Sequence, residues 1–386
     1  MNRHVQIAEP SWRGHSLVYA TNLANIITSM GCRVTLCIPQ MTDENGAQIA
    51  VVHESARDGV EVRTCLRTFS TGFGKVLSDR CEEVVDSILE QHESLAPIRL
   101  ILPTADAMVS MRMNTSQASR LRRIRPCSII HQPRLGYGGY GVRFAVGREI
   151  VRARMRRCGH RLMTMDPLTH RSALRSGIEM GLLHVPMPDS ERIDKSAARA
   201  LLGIPRHARV IGVLGEHSDR KGTLEILRAW PKDMPEGMTL LILGQLSESI
   251  RSELAKRAGE ISGNRIIVHD GFLTNERFQA GFMASDVITT LYPRHHGISG
   301  ITVEAAGFLI PILGSDHGAN GLMIRENGLG ETVDARNPRV LRSALTRAAE
   351  EDPVVDESRR ERFVARYEPG RFHEDLSQWL EISGGR

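Results

Sequence analysis

The sequence predicts an α/β protein made of two doubly wound, Rossmann-like domains facing a central cleft. Three observations carry that expectation. Apolar runs of strand length alternate with helix-period segments along the chain. The alternation pauses at a proline-marked polar stretch after Leu183 and then restarts. A chain of 386 residues also suits two domains better than one.

The first half opens with the strand "HVQIAEP" and the loop "SWRGHS". A helix follows in which Ala20, Leu23, Ala24, Ile27 and Met30 share a face, and Gly31 stops it. "CRVTLCIP", "IRLILPTAD", "CSIIHQP" and "HRLMTMD" are further strands with helical stretches between them, which implies a parallel sheet covered on both faces. "LHVPMPDSERIDKS" marks a linker, placed at 185–198 between domains at 1–184 and 199–367. The second domain carries "RVIGVLG", "MTLLILGQL", "RIIVHDGF", "SDVITTLYP" and "IPILGSD" as strands. A last helical segment, "GRFHEDLSQWLEIS", falls within 368–386. Open sheets of this kind bind ligands beyond the carboxyl ends of their strands.

Composition narrows the function classes. With 41% hydrophobic and 25% charged residues the chain is an ordinary globular one. Only 4% of residues are aromatic, which disfavours a single-strand nucleic-acid platform built on stacked rings, and no nucleic-acid partner is expected. The net charge of +5, mostly arginine, fits an anionic partner. Six cysteines without C-x-x-C pairing or zinc-ligand spacing point to free thiols in a reducing compartment. No secretion signal and no membrane-spanning run is visible, so the expectation is a cytoplasmic protein, at most peripheral on a membrane face.

Five places carry candidate chemistry. In "HHGISGITVEAAG", Gly297, Ser299 and Gly300 let a backbone approach a ligand, and the helix from Ile301 offers unpaired N–H groups to an anion. Glu304 lies one turn on and can accept hydrogen bonds from a ribose diol, although an acidic residue near a helix start is also favoured by the dipole alone. In "VLGEHSDRKGTLEILRAW", Arg220 and Lys221 stand at a strand-to-helix crossing, where two cations can hold a diphosphate or simply be solvated. His131 ends the strand of "CSIIHQP" and either bonds a substrate hydroxyl or serves the fold. "GYGGYG" places Gly136, Gly138 and Gly141 in dinucleotide-loop spacing, but Pro133, Arg134 and Leu135 separate it from the strand, so it is a loop rather than a dinucleotide site. Arginines from Arg120 to Arg125 and from Arg148 to Arg161 form either a solvated face or a contact for anionic headgroups. There is no Asp-x-Asp and no P-loop, so neither a metal–diphosphate site of that kind nor a P-loop nucleotidase is expected.

From about Val210 to Asp334 these segments resemble, in order, the second half of retaining glycosyltransferases with the GT-B fold, glycosyltransferase family four. The segments are "LGEHSDRKGTLEILRAW", "LLILGQL", "VHDGFLTNERFQAGFMASDVITTLYP", "GISGITVEAAGFLIPILGSD" and "NGLGETVDARNP"; the first half matches more loosely. The resemblance implies a nucleotide-sugar donor in the second domain, an acceptor mainly in the first, and a final helix that crosses back. Glu304 matches the second glutamate of the family's paired-glutamate motif, which holds the donor ribose, and Lys221 matches the lysine on the donor diphosphate. His131 matches the histidine near the donor sugar, and Gly14 the glycine of the first loop. Gly271 and Phe272 fall where backbone meets the nucleobase. The loop residues His296, Gly297, Ile298, Ser299 and Gly300 complete the implied donor site. Two positions depart from the family: its first glutamate falls at His296, and an arginine at Glu216. Arg220 stands close enough in sequence to supply the cation, and His296 can still bond sugar hydroxyls.

The expected activity is hexosyl transfer from a nucleotide-diphosphate sugar to an acceptor hydroxyl, with retention, without metal or other cofactor. The acceptor is a saccharide, a lipid-linked saccharide or a small molecule. The competing reading is a degenerate, non-catalytic member that binds a sugar nucleotide or a partner enzyme. A third, nicotinamide-linked oxidoreduction, rests on "GYGGYG" alone.

Overall fold

The computed structural model describes residues 3–12, 16–68, 82–110, 113–131, 142–184, 193–218, 221–231, 237–257, 266–271, 273–295 and 297–381. Gly14, Arg220, Phe272, His296 and the whole of "GYGGYG" lie outside them. The chain divides into two compact units, one of Met1–His184 with Phe372–Arg386, the other of Val185–Arg371.

The first unit begins with β1 (His4–Ala8), α1 (Ser16–Ser29), β2 (Arg33–Pro39), α2 (Gly46–Ser55) and β3 (Val60–Leu66). It continues with α3 (Glu82–Leu95), β4 (Arg99–Leu102), α4 (Asp106–Ser110), α5 (Thr115–Ile124) and β5 (Cys127–Ile130). It then runs through α6 (Val142–Cys158), β6 (Arg161–Thr164), α7 (Pro167–Arg175) and β7 (Met180–Leu182). All pairings are parallel, in the order β3-β2-β1-β4-β5-β6-β7. In β4, Leu100 and Leu102 join one core while Ile101 joins the other, the period-two alternation of a strand buried on both faces.

The second unit holds α8 (Lys195–Leu201), β8 (Arg209–Leu214), α9 (Thr223–Ala229), β9 (Met238–Leu243), α10 (Glu248–Arg257) and β10 (Ile266–His269). After these come α11 (Asn275–Ala284), β11 (Val287–Thr290), α12 (Gly300–Gly307), β12 (Ile312–Ser315), α13 (Gly318–Asn327) and β13 (Gly330–Val333). Two further helices, α14 (Pro338–Glu350) and α15 (Glu357–Arg366), cover it. The sheet order is β10-β9-β8-β11-β12-β13, again all parallel. Leu240 and Ile242 face one core, Leu241 and Leu243 the other. In both sheets the winding reverses beside the first strand, between β1 and β4 and between β8 and β11. Such reversals leave an opening at the strands' carboxyl ends.

The stretch expected as a linker over 185–198 contains the start of α8. Asp194 caps that helix, accepting hydrogen bonds from Ser196 N and Ala197 N. The last helix, α16 (Pro369–Leu380), returns to the first unit. Its Phe372, Leu376, Trp379 and Leu380 are buried in the same core as Val5, Ile7 and Leu36. Asp166, just after β6, caps α7, accepting from Leu168 N and Thr169 N.

Candidate functional site

In the second unit, the strand beside the winding reversal ends in a glycine for two reasons. Gly215 follows β8 at φ +104°, a conformation that L side chains rarely adopt. Gly244, after β9, lies so close that a Cβ there would fall 2.1 Å from Gly215 O. Above Gly215 the space is shared. The point where its Cβ would stand is 3.7 Å from Lys221 Nζ and 3.7 Å from Ile301 Cδ1. The lysine-bearing turn and the start of α12 therefore meet over the end of β8.

That turn is held by a histidine absent from the sequence-based candidates. His217 is buried, and its Nε2–H donates to Leu243 O at 2.9 Å, an oxygen that also accepts Gly215 N–H at 2.9 Å. A carbonyl can only accept, so the proton sits on Nε2, and Nδ1 accepts from the Thr223 hydroxyl at 2.9 Å. Burial pushes the ring's pKa down to about 4, which keeps it neutral. Gly222 then closes the turn at φ +73°; a Cβ there would lie 1.7 Å from Leu291 O, so the position admits only glycine. Lys221 Nζ ends up 5.7 Å from the centroid of the Tyr292 ring, within cation–π range.

The helix side of the site is equally fixed. Ser299 precedes α12 in an extended conformation, but its side chain does not cap the helix. Its hydroxyl instead pairs with Tyr292 OH at 3.0 Å. The first amides of α12 thus lack a side-chain acceptor from that residue. Further along, fully buried Thr302 donates to Asn320 Oδ1 at 2.6 Å, and Asn320 Nδ2 donates to Thr290 Oγ1 at 3.0 Å. This chain of bonds ties α12, α13 and β11 together. Glu304 folds back along the helix, its Oε1 3.9 Å from the point where a Cβ on Gly300 would stand. Burial raises its carboxyl to about 7. Among the described residues no hydrogen bond or ion pair offsets that burial.

The other second-unit candidates sit around this centre. A Cβ on Gly297 would lie 3.3 Å from His295 Nε2, and that nitrogen donates to Ile298 O at 3.3 Å. Gly271 follows β10, an edge strand, at φ +122° with open space around it, so conformation rather than crowding calls for glycine. Glu216 is exposed.

In the first unit His131 is tied to the fold. Its N–H donates to Asp106 Oδ2 at 3.0 Å, its Nε2–H to Pro103 O at 2.7 Å, and its ring meets Tyr19 edge-on at 5.0 Å. Nearby is a residue the sequence-based candidates omit. Glu9, directly after β1, is 0% exposed and accepts from Ser11 N at 2.9 Å. The Thr104 hydroxyl lies 2.8 and 2.6 Å from its two oxygens. Burial raises the carboxyl to about 8 despite those bonds, and Asp106 pushes the same way. The available signal is an acid placed at the end of the buried run "VQIA".

Several arginines of this run are engaged within their own unit. Arg120 pairs with Glu93, Arg122 donates to Arg157 O, Arg156 to Ser176 O, and Arg161 pairs with Glu381. No helix among the described residues is long and apolar enough to cross a membrane.

No family model matches the sequence, and no curated protein does. Solved structures do match over the whole chain. HepE from Anabaena, in complex with UDP and glucose, is 14% identical with a TM-score of 0.68, covering 99% of this chain and 100% of that one. Sucrose-phosphate synthase from Thermosynechococcus elongatus is 13% identical with a TM-score of 0.71 and 99% of both chains covered. WaaG, a glycosyltransferase involved in lipopolysaccharide biosynthesis, is 14% identical with a TM-score of 0.64, covering 99% of this chain and 100% of that one. With two parallel α/β sheets, each wound on both faces, the chain has the GT-B glycosyltransferase fold.

Proposed function

We propose that the protein is a glycosyltransferase that moves a sugar from a nucleotide-diphosphate donor to an acceptor hydroxyl, with retention and without a metal. The observation that carries this reading is the meeting of Lys221 Nζ and the start of α12 over Gly215, with Glu304 one turn along. A diphosphate placed there gains a cation and a set of helix-terminal amides, and a pentose diol gains a carboxylate. Similar folds have been solved with UDP, with UDP and glucose, and with UDP-glucose, all in HepE, which supports a nucleotide-sugar donor.

In this reading the second unit holds the donor and the first binds the acceptor. Lys221 and the amides of Gly300 and Ile301 stabilise charge on the departing diphosphate as the anomeric carbon becomes oxocarbenium-like. Each well-aimed donor lowers that barrier by ~3 kcal/mol. The acceptor hydroxyl attacks from the face the diphosphate leaves, and its proton passes to the leaving phosphate oxygen. No enzymic nucleophile is required, so a histidine at position 296 is compatible with turnover. His217 acts as a positioning residue through the turn that carries Lys221. The working place is the cytoplasm or the cytoplasmic membrane face, with a saccharide, a lipid-linked saccharide or a small molecule as acceptor.

A donor screen tests this directly. Nucleotide sugars are added one at a time, and thermal shift and nucleotide release are followed. One stabilising donor whose release requires Lys221 and Glu304 supports the proposal; unchanged release in Lys221→Ala and Glu304→Ala overturns these roles. The substitutions at His296 and Glu216 favour a second reading, a binder without turnover. Calorimetry showing tight sugar-nucleotide binding with no release on any acceptor selects it.

A further inference from the structure

Glu9 and Thr104 stand on the two strands that flank the winding reversal of the first sheet: Glu9 directly follows β1 and Thr104 lies just beyond β4. The carboxyl is fully buried, whereas Thr104, whose hydroxyl bonds it, is a partly exposed residue. Tyr19 adds a second unspent group. Its hydroxyl is buried, has no hydrogen-bond partner among the described residues, and lies within the electrostatic reach of Glu9.

We propose that Glu9 and Thr104 form a polyol-binding dyad, in which the buried carboxyl sets the direction of the Thr104 hydroxyl toward a ligand's oxygen. Its assignment to the acceptor saccharide rests on the functional reading above. The physics is a matter of proton count. A hydroxyl donates once. When Glu9 is protonated its own O–H can donate to Thr104 Oγ1 across the 2.6 Å contact, which leaves the threonine proton for an outward bond. When Glu9 is ionised it needs that proton itself, and Thr104 offers a ligand only lone pairs. No bond other than O–H is rearranged. The switch falls near neutrality because burial raises the Glu9 pKa to about 8. Titratable groups around Glu9 are Tyr19 on α1, Asp106 at the start of α4, His131 after β5 and Cys37 on β2, whose carbonyl accepts Glu9 N–H.

Replacing Glu9 by glutamine separates this from a merely structural acid. The amide keeps the shape and donates to Thr104 at every pH, so Glu9→Gln imitates the protonated state. The experiment measures methyl glucoside binding to the full chain by ligand-observed NMR at pH 7 and pH 9, with thermal melting as a check on folding. Wild-type binding is expected to weaken about fivefold between the two, the worth of one neutral hydrogen bond. Glu9→Gln is expected to bind equally at both pH values, Thr104→Val weakly at both, and Thr104→Ser like wild type. Equal wild-type binding at the two pH values, the same loss in Glu9→Gln, or no detectable glucoside binding overturns the proposal. UDP binding, followed in the same samples, tests the donor reading separately and is expected to be the same in all four proteins.

Discussion

Lys221 Nζ and Ile301 Cδ1 stand equally far, 3.7 Å, from the place a side chain would begin at Gly215. A methyl group there would intrude on the space between Lys221 and α12 where the proposed donor diphosphate sits. Gly215→Ala also forces alanine to φ +104°. The expected result is a roughly tenfold or greater loss of UDP affinity by calorimetry, together with ~1 kcal/mol or more of lost stability from the backbone strain. Full retention of UDP binding would show that the ligand does not approach this strand end.

Removing the ammonium itself separates chemistry from occupancy. Lys221→Ala is expected to lower kcat by about 10²–10³-fold, as for the loss of one preorganised donor to a developing anion. Lys221→Arg, whose wider guanidinium must share space beside the Tyr292 ring, is expected to recover only part of that rate. Single-turnover nucleotide release measures both.

Glu304 gives the donor complex a pH signature. Its carboxyl is raised to about 7 by burial, and only the ionised form lets both of its oxygens accept from a ribose diol. Affinity for the sugar nucleotide that the donor screen selects is therefore expected to rise as pH rises through 7 and to level off above it. Glu304→Gln removes the dependence. Calorimetry from pH 5.5 to 8.5 reads the slope; a flat wild-type curve would show that Glu304 does not face the donor.

Stability carries the opposite sign for the same acid. Glu9 and Glu304 hold protons more tightly folded than unfolded, so each contributes stability that is lost as pH rises from its unfolded pKa to about 8 and about 7 respectively. His160 and His217 are both lowered to about 4, so they add stability as pH rises from about 4 toward 6.5. The two pairs oppose each other below pH 6.5, and above it only the acids remain. Unfolding midpoints are expected to fall between pH 6.5 and 8 by the equivalent of about 2 kcal/mol. Glu9→Gln should flatten most of that decline in a denaturation series.

His217 is expected to behave as a strut. His217→Ala leaves Leu243 O with one donor fewer and the Thr223 hydroxyl without its acceptor. The expected loss is about 2–3 kcal/mol, against about 1 kcal/mol for Thr223→Val, from urea midpoints of the second unit. A kcat loss in His217→Ala that Lys221→Ala does not deepen further would place the two on one path.

The central strands were legible because burial on both faces writes them as unbroken apolar runs; "VIGVL" and "TLLIL" are examples. The strands β3, β7 and β13 were not legible in the sequence. These lie at sheet edges and are mostly only half-buried, so "VEVRTCL" and "GETV" carry no such run. Lys221 and Glu304 could be named as candidates because a glycine turn and a helix start mark them locally. His217 and Glu9 were not. Each is defined by partners far along the chain, Leu243 O for one and Thr104 for the other. Gly215 shows the same limit, since its crowding comes from Gly244 on the neighbouring strand.

The return of α16 has a consequence for biogenesis. Phe372, Leu376, Trp379 and Leu380 fill a core whose other side chains come from residues made before the second unit begins. During translation the first unit must wait, with that greasy surface open, while everything from Val185 to Arg371 emerges. A premature stop ahead of Phe372 would therefore injure the half of the molecule farthest from it in the message, and the ribosome-bound nascent chain is a natural client for chaperones.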